Sequence, residues 1–482
     1  MASMKYLGRP ALLLLGSLTL ATCATNPATG KKELSFTSES QEIQIGKENA
    51  AAVKQQMGVY NDPKVQNYVS TIGKRLASET ERPNLPWEFT VMDDPVVNAF
   101  ALPGGYIFIT RGILTHMNSE AEMATVVGHE IGHVTARHSV QQMTRQQIAQ
   151  VGLMAGAIAS KEVASHINDL SQGLGVLFLK YGRDAESQAD ALGFKYALND
   201  GYDVRKMVDM FQILERVSGG SKIPEWQSTH PDPGNRIEAT EARLSKVTKP
   251  LDGTRVNRDE FLAIIDGMVF GDDPRKGYFE GGTFIHPGLA FALDFPSDWA
   301  TQNTDQAVGA ISPNKDAILE LTAAGTDTPE AAIQKFLANE KIQAGQPRKV
   351  TIQGNPAATA EFTAQTDNGQ LHGIATFISY NGVTFRYLGY TSENTFSNYA
   401  PVFQKSIGSF RKLTDPKALN VQPARVKVET VPKDMTLAEY YKQFPSSIPI
   451  EQVAIINGMQ TDTRLEAGQK IKRVVGGTQT GS

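Results

Sequence analysis

His129-Glu130-Ile131-Gly132-His133 is the stretch of this chain whose residue types and spacing could do chemistry. On a helix, a spacing of four puts both imidazoles on one face, one above the other, so the pair can share an ion. Nitrogen ligands of this kind suit zinc at about 2.0–2.1 Å, and a glutamate directly after the first histidine can reach a water on the metal as general base. The metal would lower the pKa of that water toward about 7. The competing reading is a pair of partly buried structural histidines. A catalytic site also needs a third ligand and an open fourth position. A candidate lies in Tyr181-Gly182-Arg183-Asp184-Ala185-Glu186-Ser187-Gln188-Ala189-Asp190, where Glu186 and Asp190 are one helical turn apart. Glu186 can complete a two-histidine, one-glutamate set, and Asp190 can orient a ligand histidine from behind. Taken alone, the same stretch reads first as a solvated acidic helix face with Arg183 as partner.

The elements around these residues follow from pattern. Ser119 with Glu122 three residues on reads as a capping box, and Met123, Val126, Val127, Ile131 and Val134 repeat with the period of a core helix. Upstream, Ser38–Met57 and Pro63–Glu81 read as helices and Trp87–Met92 as a strand. Asn98–Leu102 and Tyr106–Thr110 read as a hairpin about Pro103-Gly104-Gly105. Four or more helices follow to about Lys246. In Val204–Val217 the residues Met207, Met210, Phe211, Leu214 and Val217 read as core rather than as a ligand box. A Gly, Asp and Pro cluster from Gly267 to Gly282 marks a boundary. Beyond it come short strand-like runs such as Ala290–Phe295 and Val383–Tyr390, with one helix near Pro329–Glu340. Residues 283–412 therefore read as an α+β unit without a catalytic constellation. A linker, Asp415–Val428, leads to a small module, 429–475.

The bulk properties narrow the function classes. A chain of 482 residues predicts several domains, and 40% hydrophobic with 20% charged residues is the balance of folded, soluble units. A net charge of −4 supplies no basic field, so nucleic acid is set aside as a partner. One cysteine permits no intramolecular disulfide. Lys5 and Arg9 precede an apolar run, Ala11–Leu20, too short to span a bilayer but the length of a signal-peptide core. Leu20-Ala21-Thr22-Cys23 then resembles the lipobox of bacterial lipoproteins, with Thr22 departing from the usual small residue. The expectation is a signal peptide over 1–22, lipidation of Cys23, a tether over 23–35, and no later membrane span. Secretion without a lipid and a retained N-terminal anchor are the alternatives.

Four blocks together resemble the zinc peptidases that include HtpX, the CAAX prenyl protease and the periplasmic BepA type. They are Asn98-Ala99-Phe100-Ala101-Leu102-Pro103-Gly104-Gly105, Asn118-Ser119-Glu120-Ala121-Glu122, the His129–His133 motif and Arg183 to Asp190. The resemblance covers residues 36 to about 246. It implies a mainly α-helical zincin-type domain with a small sheet, assigned to 36–265, and one zinc ion held by His129, His133 and Glu186. It further implies Glu130 as general base, Asp190 as support for a ligand, and Asn98 and Ala99 on an edge strand that pairs with substrate backbone; an ordinary core hairpin is the alternative for the last two. Ser228-Thr229-His230-Pro231 with Arg236 resembles the lipoprotein members. There His230 caps the metal from a loop, or else it is a turn residue bonded locally. Arg236 is either a structural ion-pair partner or an oxyanion stabiliser.

The last module resembles a LysM repeat of βααβ form through Thr436-Leu437-Ala438-Glu439-Tyr440-Tyr441, Val453-Ala454-Ile455-Ile456-Asn457-Gly458 and Leu465-Glu466-Ala467-Gly468-Gln469-Lys470-Ile471-Lys472. That implies peptidoglycan as a partner, although Lys433-Asp434-Met435-Thr436-Leu437 replaces the usual start, and protein docking is the alternative. Residues 283–412 resemble the PsbP-like fold only in strand order and the Phe295-Pro296-Ser297-Asp298-Trp299 turn. The expectation is a periplasmic lipoprotein, outer-membrane directed because Ala24 follows the cysteine, that cleaves unfolded or misassembled envelope proteins. The rivals are a peptidoglycan cross-link hydrolase and a chaperone-like binding protein with a mostly silent site.

Overall fold

The computed structural model describes residues 22–157, 181–219, 230, 234–366 and 369–477. The signal-peptide stretch before Thr22 and the neighbours Ser228, Thr229 and Pro231 of His230 lie outside the described residues. Among the described residues no helix is long and apolar enough to cross a membrane.

The first unit opens with two strands, β1 (Thr22–Thr25) and β2 (Lys32–Ser35), paired antiparallel with Cys23 opposite Leu34. The stretch expected as a tether is thus a strand pair. Its turn residue Asn26 is buried and donates through Nδ2 to Ala136 O (3.0 Å). Helix α1 (Glu39–Met57) starts at Ser38, whose hydroxyl accepts from Gln41 N while the Gln41 side chain accepts from Ser38 N. Helix α2 (Pro63–Ser78) starts at Asp62 with proline in its first turn and buries Val65, Val69, Ile72 and Leu76. Strands β3 (Glu88–Met92), β4 (Ala99–Leu102) and β5 (Tyr106–Thr110) form a sheet in the order β3-β5-β4, with β3 parallel and β4 antiparallel to the central β5. The short helix α3 (Arg111–His116) follows.

Helix α4 (Glu120–Thr135) carries the histidine motif and is buried along its whole length. Ser119 Oγ accepts from Glu122 N (3.2 Å), while the Glu122 carboxylate accepts from Asn118 N (2.5 Å) rather than from Ser119, so only half of the expected box closes. Helices α5 (His138–Ala157), α6 (Arg183–Asn199), α7 (Lys206–Ser218), α8 (Gly234–Leu244) and α9 (Arg258–Ile265) complete the unit. Helices α4 and α6 lie almost backbone to backbone. A Cβ on Gly193 would stand 2.7 Å from His129 N, one on Gly128 3.1 Å from Gly193 O, and one on Gly132 3.1 Å from Ala189 O. Three glycines therefore set the distance between the two helices that bear the candidate ligands. Most of the apolar side chains of α2, α4, α6, α7 and α9 share one core.

The middle unit begins earlier than expected, with Tyr278–Glu280 pairing onto Thr283–His286. It combines a four-stranded and an eight-stranded sheet, the larger built on the long strands Asn355–Thr366, Gly369–Tyr380 and Val383–Ser392. Besides the expected helix, Pro329–Leu337, it contains Phe396–Gly408. The sequence reading missed that second helix. Pro401 inside it argues against a helix, yet Phe403 and Ile407 are buried in the core under the larger sheet and outweigh one lost backbone hydrogen bond.

The C-terminal module pairs Ala424–Thr430 with Lys470–Gly476 around two helices, Leu437–Gln443 and Ile450–Ile456. Most of the stretch expected as a linker is structured, as the helix Pro416–Leu419 and the first of these strands. The module is welded to the first unit. Gly267 N donates to Val426 O (2.8 Å), Val426 N to Met268 O (2.9 Å) and Phe270 N to Ala424 O (2.8 Å). Lys472, fully buried, donates through Nζ to Thr115 O (3.0 Å) and Met117 O (2.5 Å), just ahead of α4. Burial pushes the Glu122 carboxyl up and the Lys472 ammonium down, and each charge opposes the shift of the other. Replacing Lys472 by Met removes two hydrogen bonds and one partner of this buried pair, so it is expected to cost about 3 kcal/mol. Lys472→Met combined with Glu122→Gln should recover part of that loss. Urea unfolding midpoints check both.

Candidate metal centre

The glycine-mediated contact of α4 with α6 sets His129 and His133 opposite Glu186, and His230 joins them. One donor atom from each of these four buried residues lies within 4.8 Å of the others. His129 Nε2 and His133 Nε2 are 2.9 Å apart. Glu186 Oε2 is 3.6 Å from the first and Oε1 3.4 Å from the second. His230 Nδ1 stands 3.0 and 3.1 Å from the two Glu186 oxygens and 3.4 Å from His129 Nε2.

The protonation of His129 follows from its other nitrogen. His129 Nδ1 lies 2.9 Å from Asp190 Oδ1. A carboxylate only accepts, so Nδ1 carries the hydrogen and Nε2 presents its lone pair to the cluster. Asp190 is itself clamped by Arg236 on α8, through Nε to Oδ2 (2.9 Å) and Nη2 to Oδ1 (2.6 Å). Burial raises the Asp190 carboxyl, but the Arg236 guanidinium and His129 outweigh it and hold it well below the usual carboxylate range. Arg236 also reaches Glu186 Oε2 at 3.5 Å and lies over the Phe211 ring at 4.4 Å. Arg236 is thus an ion-pair partner of Asp190.

Glu186 is buried, which raises its pKa, but the facing His230, His129 and Arg236 prevail and keep it ionised. His133 is driven far below its ordinary value, first by burial and then by the surrounding histidines and Arg236, so it stays neutral as a ligand must be. Glu130 is fully buried next in sequence to His129, and neither of its carboxylate oxygens accepts a hydrogen bond among the described residues. Burial pushes its pKa up, against the lowering pull of His230 and His129. The lone pairs of His129 Nε2 and His133 Nε2, an ionised Glu186 and a Glu130 carboxylate that accepts no hydrogen bond among the described residues make a set that a divalent cation and its water would satisfy. Two histidines, a glutamate and an optional third histidine are donors that fit zinc.

Asn98 immediately precedes β4, one of the two outer strands of the sheet, and its main chain pairs with Thr110: Thr110 N donates to Asn98 O (3.1 Å). Ala99 opens β4, which packs on α4. Neither residue shares a hydrogen bond with the four donors among the described residues. Cys23 sits in β1, on the strand pair tied to the end of α4. Sequence reasoning missed three neighbours of the cluster. Tyr181 stacks on His133 at 4.1 Å, His138 Nδ1 lies 2.9 Å from His133 Nδ1, and Gln188 Oε1 lies 3.0 Å from His138 Nε2. The available signal was a histidine just past the end of the motif helix, and a glutamine midway between Glu186 and Asp190.

Among curated proteins the chain is similar to the mitochondrial metalloendopeptidase OMA1 of Arabidopsis thaliana, 33% identical over 178 residues, 36% of this chain and 35% of that protein. It is also similar to the beta-barrel assembly-enhancing protease of Escherichia coli (strain K12), 27% identical over 232 residues, 46% of this chain and 48% of that protein. The chain thus spans half or less of the length of these relatives. Cyanobacterial PsbP from Synechocystis sp. PCC 6803 is similar over 27% of this chain and 91% of its own, with 14% identity and a TM-score of 0.24, too low to carry an assignment. Residues 63–244, which hold every donor of the cluster together with Glu130, Asp190 and Arg236, match the sequence profile of Peptidase family M48.

Proposed function

We propose that this chain is a zinc metalloendopeptidase of the bacterial envelope that cleaves unfolded or misassembled proteins. The observation that carries the reading is the buried set of His129, His133, Glu186 and His230 with the undonated carboxylate of Glu130 beside it. A zinc ion held there supplies Lewis-acid polarisation of a scissile carbonyl and acidifies a water. Glu130, buried beside the cluster, would take a proton from the attacking water and return it to the leaving amine nitrogen. Asp190, locked by Arg236, keeps His129 in the tautomer that offers Nε2. β4 ends the sheet, next to Asn98 and Ala99, and an extended substrate would add there as a further strand, a mode that binds main chain with little demand on sequence; the strand is buried in this structure, so its edge must be uncovered first. That mode, and the 27% identity to a protein named for beta-barrel assembly, support misassembled polypeptides as substrates.

A second reading, a chaperone-like protein whose site seldom cuts, is favoured by the contact of His230 with the other three residues of the group, because a fourth protein donor would leave no position for water. In the endopeptidase reading the same contact is a resting state, and activity is scaled by the fraction of molecules in which His230 has withdrawn. The βααβ arrangement of the C-terminal module supports a LysM-like unit, and peptidoglycan as substrate is the third reading. Lipidation at Cys23 would place β1, and with it the end of α4, next to an outer-membrane surface.

Digestion of an unfolded model protein, run beside purified peptidoglycan, separates the three readings. The native chain should cut the protein and leave the peptidoglycan intact. Glu130→Gln should keep zinc and lose at least a hundredfold in turnover, whereas Glu186→Ala should lose both, as measured by elemental analysis and cleavage rate. Equal zinc and activity in Glu186→Ala would remove it from the ligand set. His230→Ala should raise cleavage several-fold at equal zinc occupancy, and a fall would sink the capping role. Cys23→Ala should move the protein from the membrane to the soluble fraction; unchanged fractionation, with no acyl mass on the native chain, would refute the anchor.

A further inference from the structure

The two imidazoles of the motif are held from behind by different means. His129 leans on a carboxylate, Asp190, but His133 leans on another histidine. We infer that His138 is a positioning residue for metal binding: it accepts the Nδ1 hydrogen of His133 and so forces the lone pair of His133 Nε2 toward the cluster. This inference rests on reading His129, His133 and Glu186 as a zinc site.

The backbone brings His138 to this place by a turn that most side chains avoid. Helix α4 ends at Thr135, and Arg137 has φ +58°, in the left-handed region that glycine usually fills at a helix end. Arg137 is kept there by its guanidinium, which donates through Nε to Glu42 Oε2 (3.0 Å) and through Nη2 to Thr37 O (2.9 Å). Glu42 is in turn gripped by Arg82 at 2.8 and 3.0 Å. The turn starts α5 at His138 and folds its ring back against His133, at a centroid separation of 4.9 Å and an interplanar angle of 73°. The reversal after the motif helix is therefore fixed by a buried ion-pair network that reaches back to α1.

The direction of the hydrogen bonds follows from the far end of the chain of contacts. The Gln188 amide is oriented with Oε1 toward His138 Nε2, 3.0 Å away, while its buried Nε2 finds no acceptor among the described residues; in this orientation His138 Nε2 carries a hydrogen. In a neutral imidazole the other nitrogen is then an acceptor, and His138 Nδ1 takes the hydrogen of His133 Nδ1. His133 Nε2 is left with its lone pair, 2.9 Å from His129 Nε2. Turning the Gln188 amide would reverse every donor in this series and put a hydrogen on His133 Nε2, where it would block a metal. Glu186, Gln188 and Asp190 thus stand two residues apart on α6 with distinct tasks: ligand, tautomer lock for His133 through His138, and tautomer lock for His129.

The test measures zinc affinity by competition with a chromophoric chelator, on the full chain and independently of cleavage. His138→Phe keeps a planar ring but offers no acceptor, and should weaken zinc roughly 10- to 100-fold. His138→Asn places Oδ1 close to the position of Nδ1 and should stay within a few-fold of the native affinity. Gln188→Met removes the far acceptor at similar volume and should weaken zinc in the same direction, which keeps the inference open to refutation should His138→Phe not fold. Thermal unfolding of the metal-free variants should match the native chain. Native affinity in both His138→Phe and Gln188→Met, or an equal loss in His138→Phe and His138→Asn, overturns the inference. A native chain that binds no zinc, or binds it equally well as His129→Ala, overturns the metal reading beneath it instead.

Discussion

The structure depends on one close approach: the backbone of α4 running against that of α6 so tightly that Gly128, Gly132 and Gly193 have no room for a Cβ. The contact brings the lone pair of His129 Nε2 to 2.9 Å from His133 Nε2 and an ionised Glu186 within 3.6 Å of both, away from bulk water. Without a cation, such a set is electrostatically costly. The surrounding protein is arranged to hold it regardless. Asp190 and Arg236 fix one imidazole, His138 and Gln188 fix the other, and the buried Arg82–Glu42–Arg137 network fixes the turn that delivers His138. A site prepared in this way would bind a metal without having to reorganise its ligands first.

The ends of the motif helix are secured by distant parts of the chain. At its N-terminus, Lys472 from the last strand of the chain is buried against the Thr115 and Met117 carbonyls and balances Glu122 in the first turn. At its C-terminus, Asn26 from the opening strand pair binds the Ala136 carbonyl. The C-terminal module is therefore part of the frame around the metal helix rather than a freely tethered appendage. The middle unit is interposed in sequence between two segments that pair with each other, Met268 to Phe270 with Ala424 to Val426.

Much of this was legible in sequence where local rules dominate. The spacing of His129 and His133, the Ser119 N-cap and the periodic cores of α4 and α7 each follow from short-range pattern, and the observed elements agree within a few residues. Glu186 could be singled out only through resemblance, because a lone acidic helix face looks the same whether it meets solvent or a metal. The place of His138 in the sequence, just past the motif helix, was visible, but its role was not. Its position depends on a left-handed Arg137, and nothing local favours that conformation over continued helix; the partners that enforce it, Glu42 and Thr37, lie about a hundred residues away. The stretches around Cys23 and before Val428 failed as linkers for the same reason. Small polar composition describes a free tether and an ordered strand equally well until a tertiary partner is known.

The central claim is that the cluster on α4 and α6 holds zinc through imidazole and carboxylate. X-ray absorption at the zinc edge of the purified full chain tests it most directly. The expected spectrum is a shell of nitrogen and oxygen alone at about 2.0–2.1 Å, with the outer-ring scattering of at least two imidazoles, and with that scattering reduced in His129→Ala. A sulfur shell, a spectrum of hydrated zinc without imidazole, or a spectrum unchanged in His129→Ala would contradict the account.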